Sequence, residues 1–163
     1  MLRFEILMDK LENPRKCTIH PVGGREDFKI RYFKGNNPIP KFESDCLLHI
    51  DGLDLSTLKE KSFRSIALVD CTWKKVGAAL QRVEGNLPTL VRIPEGFTTA
   101  YPRKNKQGLD PEGGLATIEA LFIAAAFLGM WDESLLEKFH FKDKFLAENL
   151  PSWKKYKLGP HGT

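Results

Sequence analysis

The chain has 163 residues, 42% of them hydrophobic and 28% charged, with a formal net charge of +4. That is enough sequence for one domain with a full core and too little for two of ordinary size, and the composition excludes a globally disordered chain. The basic excess is too small by itself to define a nucleic-acid binder.

In chain order, short apolar runs bounded by polar residues, Gly or Pro predict strands over 3–8, 45–50, 65–70 and 89–93. Helices are predicted between and after them, over 55–60, 72–83 and 115–129. Alternation of this kind argues for an α/β domain with a largely parallel sheet. The 115–129 stretch is apolar nearly all round and should be covered on most faces, with Gly129 as its C-terminal cap. Beyond it, Leu135, Leu136 and Phe139, then Phe145, Leu146 and Leu150, have helical spacing, and Pro151 is expected to stop the helix.

The longest apolar run, 120–131, falls short of the roughly 20 residues that cross a hydrocarbon layer. Arg3 and Glu5 interrupt the apolar start, which does not read as a secretion signal, so a cytoplasmic protein is expected. Cys17, Cys46 and Cys71 lie far apart and without zinc-ligand spacing; reduced thiols and no metal are the expectation. His20, His49, His140 and His161 are scattered, and His49 reads as a core imidazole.

Two stretches invite a functional reading. The link 94–114 holds four glycines and three prolines; a loop of this length inside a compact domain is unusual and tends to be functional. In an open parallel sheet ligands settle beyond the carboxyl ends of the strands, where this loop and Asp70 would both lie. "VDCTWKKV" (69–76) runs a strand into Asp70 and then Trp73. Asp70 can be a helix cap or a ligand group, and Trp73 a core aromatic or a pocket wall; the residues alone leave both open. Basic clusters at Arg15 and Lys16, at Arg103 and Lys104, and at Lys154 and Lys155 are either solvated loops or pieces of one phosphate-tracking surface. None of the standard nucleotide, hydrolase or metalloprotease motifs is present.

"VDCTW" resembles the D-x-[ST]-W signature of the DTW-domain proteins and the related small-subunit rRNA aminocarboxypropyltransferases. Further stretches stand in the same order as in those enzymes. "NPRKCT" (13–18) is similar to D-P-K-K-C-[ST], and "NLPTLV" (86–91) to L-P-x-L-V. "GGLATIEALFIAAAFLG" (113–129) is similar to K-L-S-x-x-E-A-x-A-A with its following helix, and "FKDKFLAENLPSWKKY" (141–156) to the F-x-W-G-x-x-F-x-x-x-N tail. The family's A-A-N-P-x-N-Y-G is replaced by a segment more like the S-x-Y-x-x-R linker of the DTW branch, with Thr99, Tyr101, Arg103 and Lys104.

The resemblance implies a single SPOUT-like α/β domain over residues 1–163. Its N-terminal segment covers residues 1–64, and its cofactor-binding segment, residues 65–163, closes in a C-terminal trefoil knot. It also implies a monomer that transfers the 3-amino-3-carboxypropyl arm of S-adenosylmethionine to a uridine-type base of RNA, rRNA before tRNA, in ribosome biogenesis. Methyl transfer on the same fold, or cofactor-free RNA binding in ribosome assembly, are the competing expectations. By the same resemblance Thr18 approaches the amino-acid arm, and Trp73, Ile50 and Tyr101 contribute to the cofactor pocket. Backbone at Leu90, Val91 and Arg92 and at Leu115, Ala116 and Thr117 holds the adenine. Asp70 faces the base nitrogen; with an ordinary pKa of about 3.9 it is a poor base unless its site raises that value, so orientation and electrostatics are the expected role.

Overall fold

A computed structural model describes residues 2–11, 17–58, 63–71, 73–102 and 114–162, leaving out the side chains of Trp73 and Lys74. Five strands, β1 (Arg3–Asp9), β2 (Phe28–Phe33), β3 (Cys46–Asp54), β4 (Ser65–Asp70) and β5 (Thr89–Arg92), form one sheet in the order β2-β1-β4-β3-β5. Every pairing in it is parallel. Helix α1 (Trp73–Gln81) follows β4, α2 (Thr117–Phe127) follows β5, and α3 (Lys142–Glu148) and α4 (Leu150–Lys155) close the chain.

The two-residue period of the strands sorts the core into two layers. Phe4, Ile6 and Met8 of β1, with Ile66 and Leu68 of β4, pack on the same side as α2 and the C-terminal elements, while Leu7, Leu47 and Ala67 face α1 through Ala79. Helix α2 is covered on most faces, with Ile118, Leu121, Phe122, Ile123, Ala124 and Ala125 all buried. Its end is a Schellman turn: Gly129 at φ +92° donates to Ala126 O and Met130 to Ala125 O.

Several expectations are corrected. Strand β2, "FKIRYF", is not among the predicted strands. Its Lys29 and Arg31 point to the α1 side, where Lys29 pairs with Glu43 and Arg31 with the buried Glu5. The predicted 55–60 helix is a 3-10 turn over Leu55–Thr57, held by Asp54, which accepts from Ser56 N; residues 59–62 lie outside the described ones. Leu135 and Leu136 belong to another 3-10 turn, Glu133–Leu136. Pro151 opens α4 instead of stopping a helix: in a first turn its missing N–H costs no helical hydrogen bond. His49 is not a core residue; it stands in an irregular stretch of β3, its Nδ1 accepting from Asp51 N at 3.1 Å.

That irregularity shapes the carboxyl end of the sheet. Strand β3 pairs with β4 only at Cys46 and Leu47, and Leu48 and Leu53 both meet Val91 of β5. Residues 49–52 therefore bulge out. Gly52 is required at the bulge's base, where a Cβ would come within 2.4 Å of Val91 N.

Candidate functional site

The chain leaves β1 for β2 on one side of the sheet and passes from β4 to β5 on the other. The carboxyl ends of the neighbouring strands β1 and β4 thus form a topological switch point, the usual place for a ligand in an open parallel sheet. Asp70 is the last residue of β4 and lies there, half-buried.

Both carboxylate oxygens of Asp70 accept from distant stretches of the chain. Thr117 Oγ1, in the first turn of α2, donates to Oδ1 at 2.8 Å, and the Cys17 thiol donates to Oδ2 at 3.3 Å. Burial, followed by the Asp70 charge, pushes the Cys17 pKa up to about 11. Cys17 is accordingly a neutral donor at physiological pH and a poor nucleophile. The neighbouring Thr18 accepts from Ile118 N at 3.1 Å. The residue at the N-cap of α2 is Ala116, which has no side-chain acceptor, so Thr18 supplies the cap from 100 residues away. The positive end of the α2 dipole faces the same carboxylate.

A second carboxylate fixes the framework. Glu119 is wholly buried and accepts from Thr99 Oγ1 at 2.6 Å, Ala116 N at 2.7 Å and Ala100 N at 2.8 Å. The preceding stretch of the same loop is held by Asn149, which exchanges hydrogen bonds with Thr98 N and O, and by Ser152, whose hydroxyl donates to Gly96 O. Tyr101 is thereby set beside Phe139 and Phe141, with ring centroids 6.4 and 6.0 Å away. Thr18 and Tyr101 share a cavity of about 160 Å³ with Lys138, Phe139, His140 and Phe141.

The residues expected to act together are only partly gathered. Thr18, Asp70, Leu115, Ala116 and Thr117 converge, with Tyr101 across the cavity. Leu90, Val91 and Arg92 lie on β5, two strands from Asp70: Leu90 packs on the α1 side, Val91 is buried, and Arg92 pairs with Asp54 at 3.6 Å. Ile50 is 55% exposed in the β3 bulge. Lys154 and Lys155 are exposed at the end of α4. Arg15, Lys16, Arg103 and Lys104 and the Trp73 side chain lie outside the described residues. Cys17, Glu119 and Asn149 also build the site; each stands at a fixed letter of the motifs quoted above, but the sequence gives none of them a role. The pattern S-x-x-E that would have marked Glu119 as a helix-capping partner is broken by Ala116.

Asp9, at the end of β1, is buried and accepts from Lys75 Nζ of α1 at 2.8 Å and from Leu11 N. Burial raises its pKa, but the Lys75 and Leu11 hydrogen bonds and the nearby positive charges outweigh that and leave it below the ordinary 3.8. A depressed native value contributes stability above the unfolded-state pKa, lost as pH falls through the native one. Asp9→Asn should cost about 1 kcal/mol at neutral pH and leave a shallower acid limb in unfolding curves recorded between pH 7 and 2.

The fold and site define an all-parallel α/β protein with a carboxylate anchored at the switch point of its sheet. The solved structure of the SAM-dependent rRNA:acp-transferase Tsr3 from Vulcanisaeta distributa has the same fold, with a TM-score of 0.62 over 96% of this chain and 83% of that one, at 19% identity. No protein-family model matches the chain, and no curated protein matches it. Among the described residues no helix is long and apolar enough to cross a membrane, and no group of three or more His, Cys, Asp or Glu is placed to hold a metal ion.

Proposed function

We propose that this protein transfers the 3-amino-3-carboxypropyl group of S-adenosylmethionine to a uridine or pseudouridine base of RNA, rRNA before tRNA. The observation that carries the proposal is the convergence at Asp70. Cys17 and Thr18, Asp70, and Thr117 come from three separated stretches, "NPRKCT", "VDCTW" and "LATIEA", and meet at one site in a fold like that of Tsr3.

The residues present fit the cofactor. It carries a sulfonium cation, an amino-acid arm and an adenosine but no phosphate, so it needs aromatic walls and hydrogen-bonding groups and no phosphate-binding loop. Tyr101, Phe139 and Phe141 wall the cavity beside Thr18. In this reading Thr18 approaches the amino-acid arm, Trp73 helps wall the pocket, and backbone at Leu115–Thr117 and Leu90–Arg92 holds the adenine. When bound, the cofactor supplies carbons activated by the sulfonium, and the site selects the product by which carbon it leaves facing the acceptor.

Asp70 orients the base N–H and stabilises by its charge the proton-losing transition state. Thr117 and Cys17 keep the carboxylate aimed, and the neutral thiol does so without adding a charge that would compete with the substrate. The exposed Lys154 and Lys155, with the clusters at 15–16 and 103–104, supply phosphate contacts to RNA. The same reading includes a trefoil knot within residues 65–163, a monomer and a cytoplasmic site of action.

Titrating S-adenosylmethionine into the protein by calorimetry tests the first requirement. The expected result is saturable one-to-one binding; no binding at millimolar cofactor overturns the transferase reading.

A further inference from the structure

We propose a nucleobase subsite, separate from Asp70 but in line with it, that takes a base neighbouring the acceptor on an RNA strand. This rests on the transferase reading for what Asp70 faces. The register of the sheet places Tyr32, Met8 and Asp70 side by side on adjacent strands β2, β1 and β4. All three point to the α2 side, because Met8 packs there and Asp70 bonds Thr117 of α2. Two strand spacings separate Asp70 from Tyr32, roughly 10 Å.

At the Tyr32 end of this row lies a cavity of about 310 Å³, lined by Met8, Ile19, His20, Gly24, Ile30 and Tyr32 with Gly23. The residues that line it are mainly apolar, and Tyr32 is 59% exposed. An exposed ring beside an apolar recess suits the face of an unstacked base, since base–aromatic stacking is tolerant of sequence and worth having for any nucleotide. Lys10 and Lys34 are exposed where the two strands end, with Lys10 N donating to Phe33 O at 2.9 Å; they place positive charge where the RNA backbone would pass.

The recess is also joined to the reaction site. His20 N donates to Cys17 Sγ at 3.3 Å, and that thiol donates to Asp70 at 3.3 Å. A base seated against His20 would therefore bear on the segment that aims the carboxylate. Gly24, exposed at the edge of the recess, has nothing within 4 Å of an added Cβ and no positive φ, so a bulky side chain can be placed beside the recess without backbone strain.

The test uses a fluorescein-labelled octamer of uridine and the full chain, with binding by anisotropy across a salt series and transfer from carboxyl-labelled S-adenosylmethionine into the same octamer. Tyr32→Ala should weaken octamer binding about tenfold with an unchanged salt slope, because a stacking contact and no phosphate contact is lost. Tyr32→Phe should restore it, and Gly24→Trp should reproduce the loss, with melting temperatures near the parent's. If Tyr32→Ala and Gly24→Trp bind and transfer at the parent level, the subsite is refuted while the transferase reading stands. If the variants weaken binding as expected but the parent transfers no carboxyl label into the octamer or into RNA from its own cell, the subsite stands and that reading falls. A parent protein that binds no octamer refutes the subsite outright.

Discussion

Asp70→Asn is expected to lower transfer by a hundredfold or more while leaving the fold and cofactor affinity close to the parent's. The amide is isosteric and can still accept from Thr117 Oγ1, so the α2 contact survives. What it loses is the charge and the acceptor facing the Cys17 thiol, and a thiol is a weak donor whose loss costs little stability. Removing a group that acts on charge or a proton in the transition state is worth about 10² to 10⁴ in rate. Single-turnover transfer at saturating S-adenosylmethionine measures the effect. A variant that transfers at the parent rate would reduce Asp70 to a structural anchor between β4, α2 and the 17–18 segment.

The second large effect is expected at Glu119, away from any bond-making. Glu119→Ala removes the acceptor of two backbone N–H groups, Ala116 and Ala100, and one hydroxyl, all at a wholly buried position. Stranding buried donors and opening a cavity together should cost about 3–5 kcal/mol, a large share of the roughly 5–15 kcal/mol that holds a domain of this kind together. Glu119→Gln keeps one acceptor oxygen and should cost roughly half as much. Urea unfolding midpoints give the comparison, with unchanged slopes expected if the transition stays two-state. Because Glu119 joins the loop at 99–100 to the start of α2, both variants should also weaken cofactor binding through Tyr101 and Leu115–Thr117. A Glu119→Ala protein within about 1 kcal/mol of the parent would contradict this role.

Where a strand is apolar and flanked by breakers, the sequence is enough to place it, as β1, β3, β4 and β5 show. Strand β2 escapes because it is an edge strand with two charged residues among its six: Lys29 and Arg31 are matched by Glu43 and Glu5, and no property of β2 itself displays those partners. The bulge at 49–52 is hidden for a similar reason, since Gly52 is explained only by how closely β5 approaches. Asp70 stands out in its own motif, but its partners lie 53 and 47 residues away, and only the crossing of β4, α2 and the 17–18 segment brings them together. Thr18 belongs to the family resemblance as a ligand residue; its capping of α2 depends on Ala116 being unable to cap itself. Pro151 shows the ambiguity of a breaker, which marks a boundary without saying on which side of it the helix lies.

The identity of the group transferred is the central question, and one measurement addresses it directly. The parent protein is incubated with RNA from its own cell and S-adenosylmethionine labelled either in the methyl group or in the carboxyl carbon of the amino-acid arm. An aminocarboxypropyltransferase delivers the carboxyl label alone into RNA, which is the expected result; entry of the methyl label would make the protein a methyltransferase on the same fold and contradict it.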